Sequence, residues 1–350
     1  MAGGGTPNGG GLRRAFLVLA SVLGLALLGW FLWTLHWGEL VELLGQMSWK
    51  WLAWACFWML ADYVFHALRW WILLRHVDPT APFGVVLSAT IIGTGMNTLL
   101  PFRAGALIRP AVVALRQGIP YPTVLFTTLA DSVCELFGLV VVAAWMVWYL
   151  PAGESGTLGH IREIGKYVAV GSVLAFGFVL LLGTRQARGV VHRLVRPMPT
   201  LLRERILGLF DQLVAGLAVV GHPGRLVAAL AVTVAIWGAW CAAIMCTFWA
   251  VGLDLPVSAA LLLEAVLSLE MMVPQAPGFV GGFQQVTKIA LGIFETTEAQ
   301  AEAVALLFWA VAFVPVTIWG VIEGWRQGFG LLTTQGEVLE KLGSTPPDAG

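Results

Sequence analysis

Six apolar stretches, at about 14–36, 50–75, 121–150, 166–184, 225–251 and 303–325, are each long enough to cross a hydrocarbon layer, which needs about 20 residues of helix. A chain that repeats such stretches has no aqueous fold in which to bury them all. With 58% hydrophobic and only 11% charged residues against the roughly 25% charged of soluble domains, it is expected to be a polytopic membrane protein of the all-α class. Seventeen tryptophans fit the same environment, since indole favours the headgroup boundary. A formal net charge of zero argues against nucleic acid as a partner.

Two further apolar stretches are interrupted. Phe83 to Leu100 is followed by a break at Pro101, and a short arm from Ala104 to Leu115 returns from it. That arm covers about 18 Å at 1.5 Å per residue, short of the ~30 Å core. Val257 to Val273 meets a second break, rich in proline and glycine, and Phe283 to Phe294 is again short. Both are expected to be re-entrant helical hairpins, broken at Pro101 and Gly105 in the first and at Pro274, Pro277, Gly278 and Gly281 in the second.

Basic residues set the orientation. Arg13 and Arg14, Arg75 and His76, the 185–205 run of arginines and Arg326 are all placed on the cytoplasmic side, whereas the acidic link Glu295 to Glu302 suits the outside. Each half of the chain is then helix, helix, hairpin, helix, with one half starting inside and the other outside. The expected architecture is about six transmembrane helices plus two hairpins in an inverted-topology repeat. Residues 1–11 are a disordered N-terminus and 12–326 a single membrane domain, with repeats at about 12–150 and 165–326. A basic, amphipathic cytoplasmic loop spans 185–224, and 327–350 form a polar tail. Both termini are expected in the cytoplasm of a bacterium, with the protein in its inner membrane, and a homo-oligomer stays open.

Charge inside the apolar stretches marks the candidate site, because an ionised group at membrane depth costs several kcal/mol unless paired or wetted. Arg103 and Arg109 follow the first break, and a guanidinium matches phosphate bidentately. Their alternative role is to snorkel to the surface as topology anchors. Asp131 and Glu135 stand four apart on one helix face, either to pair with those arginines or to form a proton-linked site. Asp62, His66 and Arg69 share a face of the second helix and are expected to serve helix packing. Asn97, Gln275, Gln284 and Lys288 complete the candidate substrate-binding set, the glutamines being equally suited to capping broken backbone.

No histidine precedes an aspartate at the spacing of a membrane acyltransferase, and no H-E-x-x-H or G-x-S-x-G occurs. The four cysteines lie in apolar runs without metal-ligand spacing. No enzyme, cofactor or metal is expected.

Around the first break Asn97, Pro101, Arg103, Gly105 and Arg109 match the pattern N-x-x-x-P-x-R-x-G-E-x-x-R, with Ala106 in place of the glutamate. Pro274, Pro277, Gly278 and Gly281 match P-x-x-P-G-x-x-G, with Gln284 where many relatives carry glutamate. Asp131 to Glu135 follows an E-R-x-x-D pattern only loosely. Over about 45–326 the chain thus resembles the flippase-like membrane proteins that include the transmembrane region of lysylphosphatidylglycerol synthase. The resemblance implies movement of a lipid, anionic, hopanoid or prenyl-linked, between leaflets. The chain stops at Gly350 without that synthase's aminoacyl-transfer domain, so synthesis of lysylphosphatidylglycerol is not expected. Two other expectations stand beside lipid transport: an ion- or proton-coupled solute transporter and a non-transporting scaffold of lipid synthesis.

Overall fold

The computed structural model describes residues 37–99, 105–149, 222–272, 277–279 and 281–327, together with parts of 166–210. The expected first span and the N-terminal stretch lie outside the described residues, as do Arg103, Pro101, Pro274, Gln275 and nearly all of the C-terminal tail. The expected fourth span is described only at scattered positions.

The described residues are helical, without strands. In order they form α1 (Trp37–Gly45), α2 (Trp49–Leu74), α3 (Phe83–Leu99), α4 (Gly105–Gln117), α5 (Tyr121–Tyr149), α6 (Arg185–Val195), α7 (Pro223–Ala250), α8 (Val257–Met272), α9 (Gly282–Gly292) and α10 (Glu298–Arg326). Trp49–Leu74, Tyr121–Val142, Gly224–Ala250 and Glu298–Arg326 are long and apolar enough to cross a membrane. Their outward surfaces agree: Trp54, Phe57, Val227, Val234, Ile318 and Ile322 are all exposed, as a lipid-facing surface would have them.

Two boundaries differ from the sequence expectation. The link carrying Glu39 and Glu42 is helical as α1, because Leu40, Leu43 and Leu44 fall at helical spacing and Leu44 packs on the core. The acidic link before the last helix is shorter than expected. Thr297 accepts from Gln300 N at 3.2 Å while the Gln300 carbonyl accepts from Thr297 N at 3.0 Å, so a capping box starts α10 at Glu298.

α2 and α7 pack along each other and run antiparallel. Ser48 N, at the start of α2, donates to Ala250 O at the end of α7 at 2.8 Å, and Arg225 near the start of α7 lies 3.5 Å from His76 just past the end of α2. Around this pair α3 packs on α10 and α8 on α5, α4 on α5 and α9 on α10, and α3 on α2 and α8 on α7. Exchanging α2 with α7, α3 with α8, α4 with α9 and α5 with α10 carries each of these contacts onto another. Because the exchanged pair α2/α7 is antiparallel, the two halves run through the bundle in opposite senses, as an inverted repeat requires.

Glycine sets the closest approaches. A Cβ on Gly105 would overlap Gly93 O and Asn97, so α3 and α4 fold back on each other with backbones in contact. A Cβ on Gly320 would sit 2.7 Å from Ile91 O and 3.0 Å from the Cα of Gly95, which brings α10 onto α3 in the same way.

Candidate functional site

The polar interior is built from one face of α2. Arg69 is 0% exposed and spends its donors on two neighbouring helices. Nε donates to Asp131 Oδ1 on α5 at 2.7 Å, Nη2 to Glu135 one turn further on, and Nη1 to Thr233 Oγ1 on α7 at 3.2 Å. His66 stands beside it, with Nδ1 3.3 Å from Glu135 and Nε2 3.6 Å from Asp62. Removing one partner from such a buried pair costs about 3–5 kcal/mol, because the remaining charge is left uncompensated. Arg69 therefore fastens α2, α5 and α7 together.

Arg109 reaches the same group from α4. Its Nη1 donates to Asp131 Oδ2 at 3.0 Å, so this one carboxylate bridges two arginines. The guanidinium lies over the Trp70 indole, 4.2 Å from the ring centroid, and Trp70 Nε1 is held by Thr127 Oγ1 at 3.0 Å. Arg109 Nε and Nη2 are buried and have no hydrogen-bond partner. These two nitrogens form the side edge of the guanidinium, which pairs in parallel with two oxygens of a phosphate or carboxylate. The orphaned edge is buried and free to receive such a group.

Two more carboxylates complete the cluster. Asp62 is 1% exposed and neither of its oxygens has a hydrogen-bond partner, and Glu264 on α8 is 2% exposed with Oε2 unpartnered.

One end of the bundle holds a cavity of about 570 Å³ between α2, α5, α7 and α8. Its walls are apolar and include Trp51, Trp54, Trp58, Trp145, Trp237 and Trp249. Every wall leads to the polar cluster within about one helical turn. Trp58 precedes Asp62 on α2, Gly138 follows Glu135 on α5, Trp237 follows Thr233 on α7, and Leu261 precedes Glu264 on α8. The helix directions agree at all four walls, so the charged groups lie at the inner end of the cavity.

Of the residues expected at the site, Arg109, Asp131 and Glu135 come together here. Lys288 does not join them: its Nζ lies 2.8 Å from Glu302 and 3.6 Å from Glu298, between α9 and α10. Gln284 is 1% exposed and its carbonyl accepts from Gly281 N at 2.7 Å, closing the start of α9. Asn97 does the same for α4, its Oδ1 accepting from Ala106 N at 3.0 Å across the first break. In the second break Gly278 (φ 79°) and Gly281 (φ 96°) take the left-handed backbone that glycine permits, and the Gly278 carbonyl accepts from Trp309 Nε1 at 2.7 Å.

Arg69 is the site residue the sequence undervalued. The i, i+4, i+7 spacing of Asp62, His66 and Arg69 on an apolar helix was its signal, but closeness to the helix end pointed to a helix-packing ion pair alone rather than to a place among the site residues. α2 continues to Leu74 and α4 packs over that end, which buries the guanidinium completely.

A family model of the lysylphosphatidylglycerol synthase transmembrane region matches residues 17–320, almost the whole apolar chain. The chain belongs to that family. Among curated relatives, a protein named glycosyltransferase AglD, from Haloferax volcanii, is 26% identical over 341 aligned residues, covering 88% of this chain and 54% of the relative. The chain thus spans about half the length of that relative. Membership of the lysylphosphatidylglycerol synthase transmembrane-region family makes this a membrane protein of lipid or glycolipid pathways.

Proposed function

We propose that the protein moves a lipid or lipid-linked molecule between the leaflets of the cytoplasmic membrane. The observation that carries this reading is the junction of the tryptophan-walled cavity with the charged cluster one turn inward. An apolar chain fits the cavity walls and an anionic head fits the free Nε/Nη2 edge of Arg109, so the site has the polarity of a lipid. A small water-soluble solute would leave those walls unused.

The hairpins supply the path. α3, α4 and α9, with 17, 13 and 11 residues, reach about 25, 20 and 16 Å at 1.5 Å per residue, each short of the ~30 Å hydrocarbon core, and they enter from opposite sides in this reading. With basic α6 and Arg326 taken as cytoplasmic, the His76/Arg225 end of the bundle faces the cytoplasm in this reading and the cavity lies in the outer half. Rocking of the two antiparallel halves about α2 and α7 would expose the cluster to each leaflet in turn. The Haloferax relative is named a glycosyltransferase, which brings glycosylated lipids into the substrate class of this reading. In this reading the residues bind and release, and no covalent step is assigned to them.

The test is reconstitution into liposomes with fluorescent lipids, anionic, zwitterionic and glycosylated in parallel. Leaflet exchange above that of empty liposomes, and lost in Arg109→Gln, is expected for at least one anionic lipid. Exchange no faster than in empty liposomes across the panel would overturn the proposal and favour a scaffold role.

A further inference from the structure

The cluster holds more acid than base. Asp62, Asp131 and Glu135 gather around Arg69, and Glu264 faces Asp62 and Glu135, while the facing cations are Arg69 and Arg109. Both guanidinium groups already pair with carboxylates, Arg69 with Asp131 and Glu135, and Arg109 through Nη1 with Asp131. Asp62 and Glu264 are the two carboxylates left over.

Their surroundings offer little else. On its own helix Asp62 has His66 Nε2 at 3.6 Å, beyond hydrogen-bond range, and the indole of Trp240 on α7 is turned toward it without closing a hydrogen bond. Its neighbour Tyr63 donates to the Ala312 carbonyl on α10. Glu264 faces Asp62 and Glu135, with the Cys241 thiol of α7 nearby. Three buried carboxylate oxygens therefore make no hydrogen bond, although a single unmatched charge at this depth costs several kcal/mol. Anionic and buried, with these oxygens unspent, the place suits a small hard cation.

We propose that Asp62 and Glu264 form a site for one monovalent cation, a proton or Na⁺. Resting on the lipid-transport reading, occupancy of this site sets the charge of the cluster that receives the head: loading it makes the free edge of Arg109 a stronger anion site, and unloading it favours release. Cation uptake and lipid uptake are thereby linked, as coupling requires a differential affinity.

The experiment uses the purified full chain in nanodiscs of neutral lipid, without added substrate. Infrared spectra taken across a pH titration report protonated carboxyl groups, and tryptophan emission titrated with NaCl against choline chloride at constant ionic strength reports Na⁺ next to Trp58 and Trp240. Asp62→Asn and Glu264→Gln are tested singly, with size exclusion and circular dichroism to establish folding and His66→Gln as a control for imidazole titration. A protonated-carboxyl band at neutral pH that either variant removes assigns a proton. A saturable Na⁺ response that choline does not give and both variants abolish assigns Na⁺. Neither signal in the folded protein, or signals unchanged in both folded variants, overturns the proposal. Because no transport is measured, failure here leaves the lipid reading standing, and failure of leaflet exchange leaves the cation site standing.

Discussion

Lys288 Nζ lies 2.8 Å from Glu302 Oε1, and this contact joins α9 to α10 as Arg109 with Asp131 joins α4 to α5. Each cation sits on the short helix after a break, and each carboxylate sits buried on the helix that follows. The exchange that carries α4 onto α9 and α5 onto α10 relates the helices and not these residues, since aligned helix starts set Arg109 against Val286 and Asp131 against Phe308. The halves then diverge in what the cation has left to offer. Lys288 has a second acidic neighbour in Glu298 at 3.6 Å, whereas Arg109 keeps an unpaired edge. One pair has a structural role, and the other faces the candidate site.

Lys288→Met is therefore expected to lower stability by about 3 kcal/mol, since it takes the 2.8 Å cation away from Glu302, which is 0% exposed. The double variant Lys288→Met, Glu302→Leu is expected to recover most of that loss, because no buried charge is then left alone. Thermal unfolding in detergent measures both. Leaflet exchange by the folded fraction is expected to stay near that of the unsubstituted protein.

Arg109→Lys is expected to show the opposite pattern. A lysine ammonium can hold Asp131 as a point charge but cannot present the parallel pair of donors at Nε and Nη2. Loss of one charge-assisted hydrogen bond, about 1.5–3 kcal/mol, corresponds to about a 10- to 100-fold fall in leaflet exchange of an anionic lipid. The melting temperature is expected to move by only a few degrees. A large thermal loss with exchange per folded molecule unchanged would make Arg109 a structural residue like Lys288.

Most helices and both breaks were legible in the sequence, because apolar length and Pro/Gly interruption dictate them directly. Phe83–Leu99 and Gly105–Gln117 fall within two residues of the expected arms. The partners across helices were not legible. The sequence leaves Asp131 either to pair with the arginines near the break or to form a proton-linked site; Arg109 takes one of its oxygens and Arg69, distant in sequence, takes the other. That choice depends on the rotation and approach of α2 against α5, which small residues and packing set rather than local periodicity. Gln284 shows the same limit: its chemistry permits a ligand or a backbone cap, and only the turn at Gly281 places the amide N–H against it. The cavity had no sequence signature beyond a high tryptophan count, since its walls come from four helices.

At the opposite end from the cavity, His76 is expected to make stability depend on pH. Burial pushes its pKa below the ordinary value, and His222, whose ring centroid is 4.6 Å away, and Arg225, with Nη1 3.5 Å away, push it the same way. The folded chain thus favours neutral imidazole, while the unfolded chain takes up a proton near pH 6.5. The stabilisation is present above that pH and declines as pH falls below it. A smaller drop in melting temperature between pH 7.5 and 5.5 is expected for His76→Gln. An equal drop in the variant would assign the acid sensitivity to other groups.

Two cavity-lining glycines separate occupancy of the cavity from its construction. A Cβ on Gly138 would run into the Trp237 indole, so Gly138→Ala must displace a wall and is expected to destabilise by about 1–3 kcal/mol. Gly238 is one residue beyond Trp237, and nothing lies within 4 Å of a Cβ built there. Leucine at this position projects into free space and favours the helix by roughly 1 kcal/mol over glycine, so Gly238→Leu is expected to fold at least as well. It also occupies volume that a lipid chain would need. Leaflet exchange is therefore expected to fall several-fold in Gly238→Leu while the melting temperature holds or rises. The smaller Gly238→Ala, measured alongside, is expected to lose less. Undiminished exchange in Gly238→Leu would mean that the chain of the lipid travels elsewhere, along the outer faces of α2 and α7 rather than through the tryptophan-lined cavity.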